Sequence, residues 1–435
     1  MVSRDLKRLR LLLERYPKPE GVKLAYGTAG FRCSAKLLPS VFLRMGCLVA
    51  LLSEVHVQGQ AIGIMCTASH NQEEDNGIKI ADVDGGMLRS EWEGLAAALA
   101  NIDTVDQVVD FFSNLMIQNK IRAPCRGCVH VGFDSRSHSP FLANLAVVGA
   151  TIMGANVTNH GLVTTPILHH CIYQANGHCS KAIPKSLASL FSCEALDSSA
   201  GVETYLDIIC GSYLALLDTS FKNCQINSIV NHPRIVVDCA CGIGAPFIDQ
   251  INWRLMASRN RGAVELIAIN KIGEGTLNGA CGAEFVQKKQ LPPTHFSGLA
   301  HFPASREKFL ARAPVGEINR FASLDGDADR IVFHYFKKRN TMKAFGLIDG
   351  DKIAALVALF VQNEITILKS AAPDAMHELR CGIVQTAYAN GSSTFFLKVW
   401  KDSFSDYYKL YSFEVKNLTC SFRFSFRLRT LPELM

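Results

Sequence analysis

LDGDADRIVF, Leu324 to Phe333, places three carboxylates, Asp325, Asp327 and Asp329, at alternate positions immediately before an apolar run. So many like charges so close together repel one another unless a cation lies among them, and a hard divalent ion is the simplest answer. Gly326 and Ala328 keep the intervening positions small, so the backbone can curl and aim three oxygens at one ion. Arg330 adds a fixed cation suited to a phosphate. Ile331, Val332 and Phe333 read as a strand that anchors the turn, which sets it apart from a solvated acidic loop. An EF-hand is excluded: counted from Asp325, the sixth and twelfth positions hold Arg330 and Phe336, where that loop needs Gly and Glu. Magnesium serving a phosphate group is the expectation.

Outward from this turn, short apolar segments alternate with longer helical patterns. Ile62–Cys66, Val129–Phe133, Arg234–Asp238 and Val264–Ile269 read as strands, and Ser40–Val55, Pro140–Met153, Glu203–Leu217 and Asp349–Val361 as helices. The fold class is therefore α/β, with several similar units in series. Two strands end alike, at Gly132-Phe133-Asp134 and Val237-Asp238-Cys239, where open α/β sheets place their ligands. Asn176–Ser192 and His295–Ala313, rich in Pro, Ser, His and Ala without periodicity, read as linkers. The domains expected are 1–175 with a serine loop, 176–300, 301–394 with the aspartate loop, and a tail over 395–435.

That serine loop is TASHNQEEDNGIK, Thr67 to Lys79, at the carboxyl end of the strand Ile62–Cys66. An isolated Ser69 would be an ordinary turn former or helix cap. Beside a metal site it becomes a candidate phosphoryl carrier. Serine oxygen is a poor nucleophile and leaving group alone, so the transfer needs a metal, a cationic side chain and a proton carrier. Mg²⁺, His70 and Lys79 can supply these. A Ser-His-Asp hydrolase is disfavoured because Ala68 and His70 replace the glycines of the nucleophile elbow. An aspartyl phosphoryl carrier, with Asp325 as nucleophile, is the competing use of an Asp-x-Asp run, and cleavage by hydroxylamine separates it from an acid-stable phosphoserine.

Composition excludes other classes. The chain has 435 residues, 48% of them hydrophobic, enough for several cores. Half of the formal charge of +6 sits in the tail, where residues 395–435 carry seven Lys or Arg against four Asp or Glu. The nearly balanced body gives no footprint for nucleic acid, and the Phe-Arg pattern of the tail is not read as a stacking platform. The start has only Leu11–Leu13 as an apolar run, too short for a signal peptide, and no stretch approaches a membrane span, so a cytoplasmic address is expected. The fifteen cysteines are scattered among apolar residues and read as reduced; Cys125 and Cys128 lack the second ligand pair that zinc would need. Oligomeric state is left open.

YGTAGFR at Tyr26–Arg32, TASHN at Thr67–Asn71, DGDADR at Asp325–Arg330, LIDGDK at Leu347–Lys352 and TAYANGSST at Thr386–Thr394 resemble, in that order, the motifs of the α-D-phosphohexomutases. Residues Leu162–Pro166 and LNGACGAEFV, Leu277–Val286, are similar to the eukaryotic branch acting on N-acetylglucosamine phosphates. The resemblance implies serial α/β domains with mixed sheets. It also implies reversible conversion of N-acetylglucosamine 6-phosphate to the 1-phosphate, through a phosphoserine and a 1,6-bisphosphate, on the route to UDP-N-acetylglucosamine. In it, Ser69 is the phosphoserine, and Asp325, Asp327, Asp329 and a Ser69 phosphoryl oxygen bind Mg²⁺. Arg32 and Arg330 steady phosphoryl oxygens, His70 and Lys79 assist proton transfer or orientation, and Thr28 and Asn71 contact the sugar phosphate.

The resemblance is read as stopping after Thr394, where neither the family's later sugar-binding motif nor its terminal phosphate loop is seen. The third domain would then be incomplete and the fourth missing, with a poorly ordered tail, and the alternative is a catalytically impaired member that binds Mg²⁺ without completing turnover. Three departures accompany this. Gly132–Arg136 lacks the first Arg of the family pattern, Cys241 stands where Asn is usual, and His295–Ile318 reads as an insertion. Gln72 for Pro is milder.

Overall fold

The computed structural model describes residues 3–27, 30–55, 59–122, 124–178, 201–224, 233–258, 263–293, 320–336, 345–371, 379–385, 389–402, 408–412 and 423–428. Thr28, the linker residues 179–192, the whole segment 295–318 and residues 386–388 lie outside them. Two compact units are present, Met1–Gly346 and Leu347–Met435.

The first unit opens with α1 (Ser3–Arg15), β1 (Phe31–Ser34), α2 (Pro39–Val55), β2 (Ala61–Cys66), β3 (Asp75–Ala81), α3 (Ser90–Ala100) and α4 (Val105–Gln118). These are followed by β4 (Cys128–Phe133), α5 (Ser139–Met153), β5 (Asn156–Leu162) and α6 (Thr165–Ala175). Their sheet has the order β1-β3-β2-β4-β5 and is mixed: β2, β4 and β5 run parallel, while β3 is antiparallel to both β1 and β2. Every residue of β2 is buried, which explains its unbroken small and apolar run AIGIMC.

Helices α2 and α5 cross closely. A Cβ on Gly46 would stand 2.1 Å from the Ala146 carbonyl oxygen, and one on Gly149 would stand 2.3 Å from that of Leu43. Cys47 sits in this seam as a small apolar residue, its Sγ 3.3 Å from the Gly149 carbonyl. Arg44, buried on α2, donates to the carbonyls of Leu99, Ala100 and Ile102, so with Asn101 it satisfies the carbonyls at the end of α3.

Part of the serine-loop reading is corrected. Residues 67–74 form the turn, but Asp75–Ala81 is strand β3, in register with β2 so that Lys79 faces Met65. Its first residues, Asp75, Asn76 and Gly77, are turn formers and masked the strand.

The same unit continues with α7 (Gly201–Cys224), β6 (Arg234–Asp238), α8 (Gly244–Ala257), β7 (Glu265–Ile269), α9 (Gly282–Lys289), β8 (Arg320–Leu324) and β9 (Ile331–Phe336). These strands lie in the order β9-β8-β6-β7, with β6 parallel to β7 and β8, and β9 antiparallel to β8. The aspartate turn therefore joins two hydrogen-bonded neighbours, anchored by Ile331 onwards as the sequence implied.

In the second unit, α10 (Gly350–Ala371), β11 (Leu379–Gln385), α11 (Gly391–Asp402), β12 (Tyr408–Ser412) and β13 (Arg423–Leu428) follow β10 (Phe345–Ile348), within which the unit boundary falls. β11 is flanked by β12, parallel, and β13, antiparallel. Within the tail, Tyr408–Ser412 and Arg423–Leu428 are strands. RFSFRL alternates aromatic with polar residues at the period of a strand.

Candidate active site

Ser69 stands in the turn between β2 and β3 with a left-handed backbone (φ 54°) and is 1% exposed. A non-glycine residue in that region carries a local energetic cost that surrounding contacts must offset. They are identifiable. The Ser69 N–H donates to Thr67 Oγ1 (2.9 Å), and the Thr67 hydroxyl donates to Asp134 Oδ2 (2.7 Å). Asp134, fully buried, also receives the Ser139 hydroxyl (2.6 Å) and pairs with the Arg136 guanidinium. The strand end Gly132-Phe133-Asp134 is therefore a support beneath the serine.

The aspartate turn closes over it. Ser69 Oγ donates to Asp325 Oδ2 at 2.6 Å, and Asp329 Oδ1 lies 3.5 Å away. Lys79, 2% exposed on β3, bridges Asp327 Oδ2 (2.6 Å) and Asp329 Oδ2 (2.7 Å). Burial opposes the Lys79 charge, but the two carboxylates outweigh burial and raise its pKa above that of an ordinary lysine. In Asp327, burial acts upward and is overridden by Lys79 and by the Thr165 hydroxyl, which hold the carboxyl well below the usual range. Asp325 has only the partly exposed Arg330 guanidinium, its Nε 3.9 Å from Oδ2, and burial followed by Asp329 and Asp327 pushes its carboxyl well above that range.

The donor set fits a hard divalent cation. One carboxylate oxygen from each of Asp325, Asp327 and Asp329 lies within 4.8 Å of the others. Asp327 Oδ1 is buried and has no hydrogen-bond partner, an uncompensated acceptor in a cluster where a cation would satisfy it. Its other oxygen is occupied by Lys79 and Thr165, so the carboxylate cannot rotate freely.

Close approach explains the small residues of the turn. A Cβ on Gly326 would meet the Ser69 carbonyl oxygen at 2.7 Å and Asn278 Nδ2 at 3.0 Å. Ala328 adopts φ 59°. Arg330 donates its N–H to Asp325 Oδ1 (3.1 Å) and its guanidinium to Glu284 Oε2 (2.9 Å). Arg32 on β1 donates to Asn71 Oδ1 (3.1 Å). Burial, then Arg330, bring the His70 imidazole down to about 4, with Arg32 acting the same way, so the ring is neutral near pH 7; its Nδ1 has no partner.

Nine of the ten residues singled out from the sequence thus gather around one serine; the tenth, Thr28, lies outside the described residues. Four contributors were not assigned a role from sequence. Arg136 and Asn278 both grip the serine turn, Thr165 at the start of α6 holds Asp327, and Glu284 on α9 holds Arg330. The available signal was weak, a polar residue just past a strand end or at a helix start, which many loops show.

Two families match parts of the chain. Phosphoglucomutase/phosphomannomutase, alpha/beta/alpha domain I, matches residues 49–106 and 92–183, and Phosphoacetylglucosamine mutase AMG1, domain III, matches residues 349–404. The second match runs past Thr394, so family likeness extends further than the motifs indicated. Phosphoacetylglucosamine mutase 1 of Schizosaccharomyces pombe is 35% identical over 376 residues, covering 86% of this chain and 63% of that protein. The Homo sapiens phosphoacetylglucosamine mutase is 34% identical over 385 residues, covering 88% and 60%. The chain spans about three fifths of the length of these curated relatives.

Among solved structures, an apo-form N-acetylglucosamine-phosphate mutase has 31% identity and a TM-score of 0.69, covering 94% of this chain and 77% of that one. The Aspergillus fumigatus N-acetylphosphoglucosamine mutase in complex with GlcNAc-6P and magnesium has 30% identity and a TM-score of 0.69, covering 95% and 66%. With its serine turn, aspartate turn and chain-long likeness together, the chain belongs to the phosphoacetylglucosamine mutase family of the α-D-phosphohexomutase superfamily.

Proposed function

We propose that the chain interconverts N-acetylglucosamine 6-phosphate and N-acetylglucosamine 1-phosphate through a phosphoserine at Ser69 and a 1,6-bisphosphate intermediate, an intramolecular phosphotransfer that serves UDP-N-acetylglucosamine synthesis. The observation that carries this is the 2.6 Å contact between Ser69 Oγ and Asp325 inside a three-carboxylate cluster. The relatives' phosphoacetylglucosamine mutase activity and a relative's complex with GlcNAc-6P and magnesium support the substrate and the metal.

In the forward half-reaction the bond between Ser69 Oγ and phosphorus breaks, a bond from a sugar hydroxyl oxygen to phosphorus forms, and the hydroxyl proton leaves. The sugar then reverses, and Ser69 Oγ takes the other phosphoryl group. Asp325, Asp327, Asp329 and a phosphoserine oxygen would hold Mg²⁺, which when bound supplies charge neutralisation on the transferring phosphoryl group. Lys79 is committed to two carboxylates, so it fixes their positions instead of exchanging protons. His70, neutral and with Nδ1 unpartnered, is the group suited to carry the proton. Arg32 and Arg330 steady phosphoryl oxygens, and Asn71 orients Arg32. Thr28 and Asn71 are assigned to substrate contact on family likeness alone.

A sugar phosphate is the small-molecule partner in this reading. Among the described residues no helix is long and apolar enough to cross a membrane, and ten cysteines are unpaired, which favours the cytoplasm. The division at 175, 300 and 394 is kept as part of the proposal.

The test is conversion of N-acetylglucosamine 6-phosphate by the purified chain with Mg²⁺ and N-acetylglucosamine 1,6-bisphosphate, beside Ser69→Ala. Turnover lost in Ser69→Ala and in chelator supports the proposal. Absence of turnover in the unmodified chain, or a hydroxylamine-labile phosphoryl group located on Asp325, overturns it.

A further inference from the structure

The serine turn is held from two independent sides through the same pair of atoms. Arg136, from the loop after β4, donates Nη2 to the carbonyl oxygens of Ser69 (3.3 Å) and Asn71 (2.9 Å). Asn278, from the loop after β7 in the other sheet, donates Nδ2 to the same two oxygens at 2.9 and 3.0 Å. Two donors converging on two carbonyls fix the turn's position, which phosphoryl transfer needs more than it needs added binding energy.

Each donor is itself anchored. Arg136 is 1% exposed and paired with Asp134, the carboxylate that also holds Thr67 and Ser139. Asn278 adopts a left-handed backbone (φ 57°) and donates its own N–H to the Ala240 carbonyl (2.9 Å) of the neighbouring loop after β6, where Ala240 and Cys241 are also left-handed. Asp238 ties the two loops together, accepting from the N–H groups of Ala240 (3.1 Å) and Gly282 (2.7 Å) and from Asn270 Nδ2 (2.7 Å). Asn tolerates this backbone better than most residues, so the position suits an amide that must be aimed.

We propose that Asn278 is a positioning residue for the phosphoryl-carrying serine: with Arg136 it clamps the Ser69 and Asn71 carbonyls and so registers the serine turn against the aspartate turn. The inference rests on the phosphoserine reading for its kinetic consequence and on geometry alone for its structural one. Asn278 touches none of the three aspartates in the described contacts, so it acts on the serine and leaves the metal ligands in place.

The test uses Asn278→Gly, which keeps the left-handed backbone without the donor, and Asn278→Gln, which keeps a donor on a longer arm. Ser69 labelling from N-acetylglucosamine 1,6-bisphosphate, in a single turnover with Mg²⁺, is expected to slow about 10- to 100-fold in Asn278→Gly. Asn278→Gln should recover part of the rate. KM for the bisphosphate and the affinity for Mg²⁺ alone should stay within about twofold. Hydrogen exchange at the Ser69 and Asn71 amides should accelerate in Asn278→Gly while that of β2 does not.

Unchanged labelling in Asn278→Gly, or exchange that rises equally in β2 and the turn, overturns the proposal. Should the unmodified chain itself take no label on Ser69, the phosphoserine reading fails, and the exchange measurement still decides whether Asn278 holds the turn.

Discussion

Thr165 grips Asp327 twice: its hydroxyl donates to Oδ2 at 2.7 Å, and its backbone N–H donates to the Asp327 carbonyl at 3.1 Å. Thr165 begins α6, while Thr164 caps that helix by accepting from the Ile167 N–H (3.3 Å). The helix start thus presents one threonine to the helix and the next to the aspartate turn. Thr165→Val keeps the shape and removes one hydrogen bond. Divalent-ion affinity measured by calorimetry should fall about tenfold, with stability reduced by about 1 kcal/mol. An unchanged affinity would show that Lys79 alone orients Asp327.

Lys79→Met should expose how much the aspartates depend on their cation. The substitution strands Asp327 and Asp329 beside Asp325 without a counter-charge, and breaking a buried pair this way costs about 3–5 kcal/mol. Thermal unfolding in chelator should show a large loss of stability that added Mg²⁺ partly restores. A variant equally unstable with and without the ion would argue against a cation site among these carboxylates.

Gly326→Ala probes the contact between the two turns. The new methyl group would press on the Ser69 carbonyl and Asn278 Nδ2, and overpacking of this kind costs about 1–3 kcal/mol. Separation of Ser69 from Asp325 should lower Ser69 labelling at least about tenfold. Wild-type labelling in a folded variant would refute the tight-contact argument.

His334 supplies a pH dependence unrelated to catalysis. It is 2% exposed on β9, stacked on Phe321 at 5.4 Å, and burial pushes its imidazole from 6.5 to about 4. Between those values the unfolded chain binds the proton that the folded chain refuses. Stability is therefore complete above about pH 6.5, declines as pH falls toward 4, and levels off below, a total of up to about 3 kcal/mol. Urea unfolding at pH 7 and pH 5 should show a smaller decline in His334→Gln than in the unmodified chain. Equal declines would assign the dependence to other groups.

The aspartate turn and the parallel strands were legible in the sequence because both are local. Alternating carboxylates repel over covalent distances whatever the fold, and a short β-branched apolar run such as RIVVD reads as a strand; Arg234–Asp238 is strand β6 as expected. β3 was not legible, because Asp75, Asn76 and Gly77 at its start read as turn residues and leave Lys79 looking like a loop residue. Arg136 and Asn278 were not legible as a pair either, since nothing in either neighbourhood says that both reach the same two carbonyls.

By itself, then, the sequence determined the α/β class, the three clustered carboxylates and the candidate serine. Tertiary structure decided their chemistry. Ser69 and Asp325 lie 256 positions apart, and only the meeting of turns from two sheets brings them to 2.6 Å. The same meeting gives Asp327 a buried cation at 2.6 Å and leaves Asp325 only the partly exposed Arg330 Nε at 3.9 Å, so two carboxylates of one motif are driven in opposite directions, Asp325 up and Asp327 down. Charge spacing along a chain is fixed by covalent geometry, whereas desolvation and counter-charge depend on which distant segments pack against it.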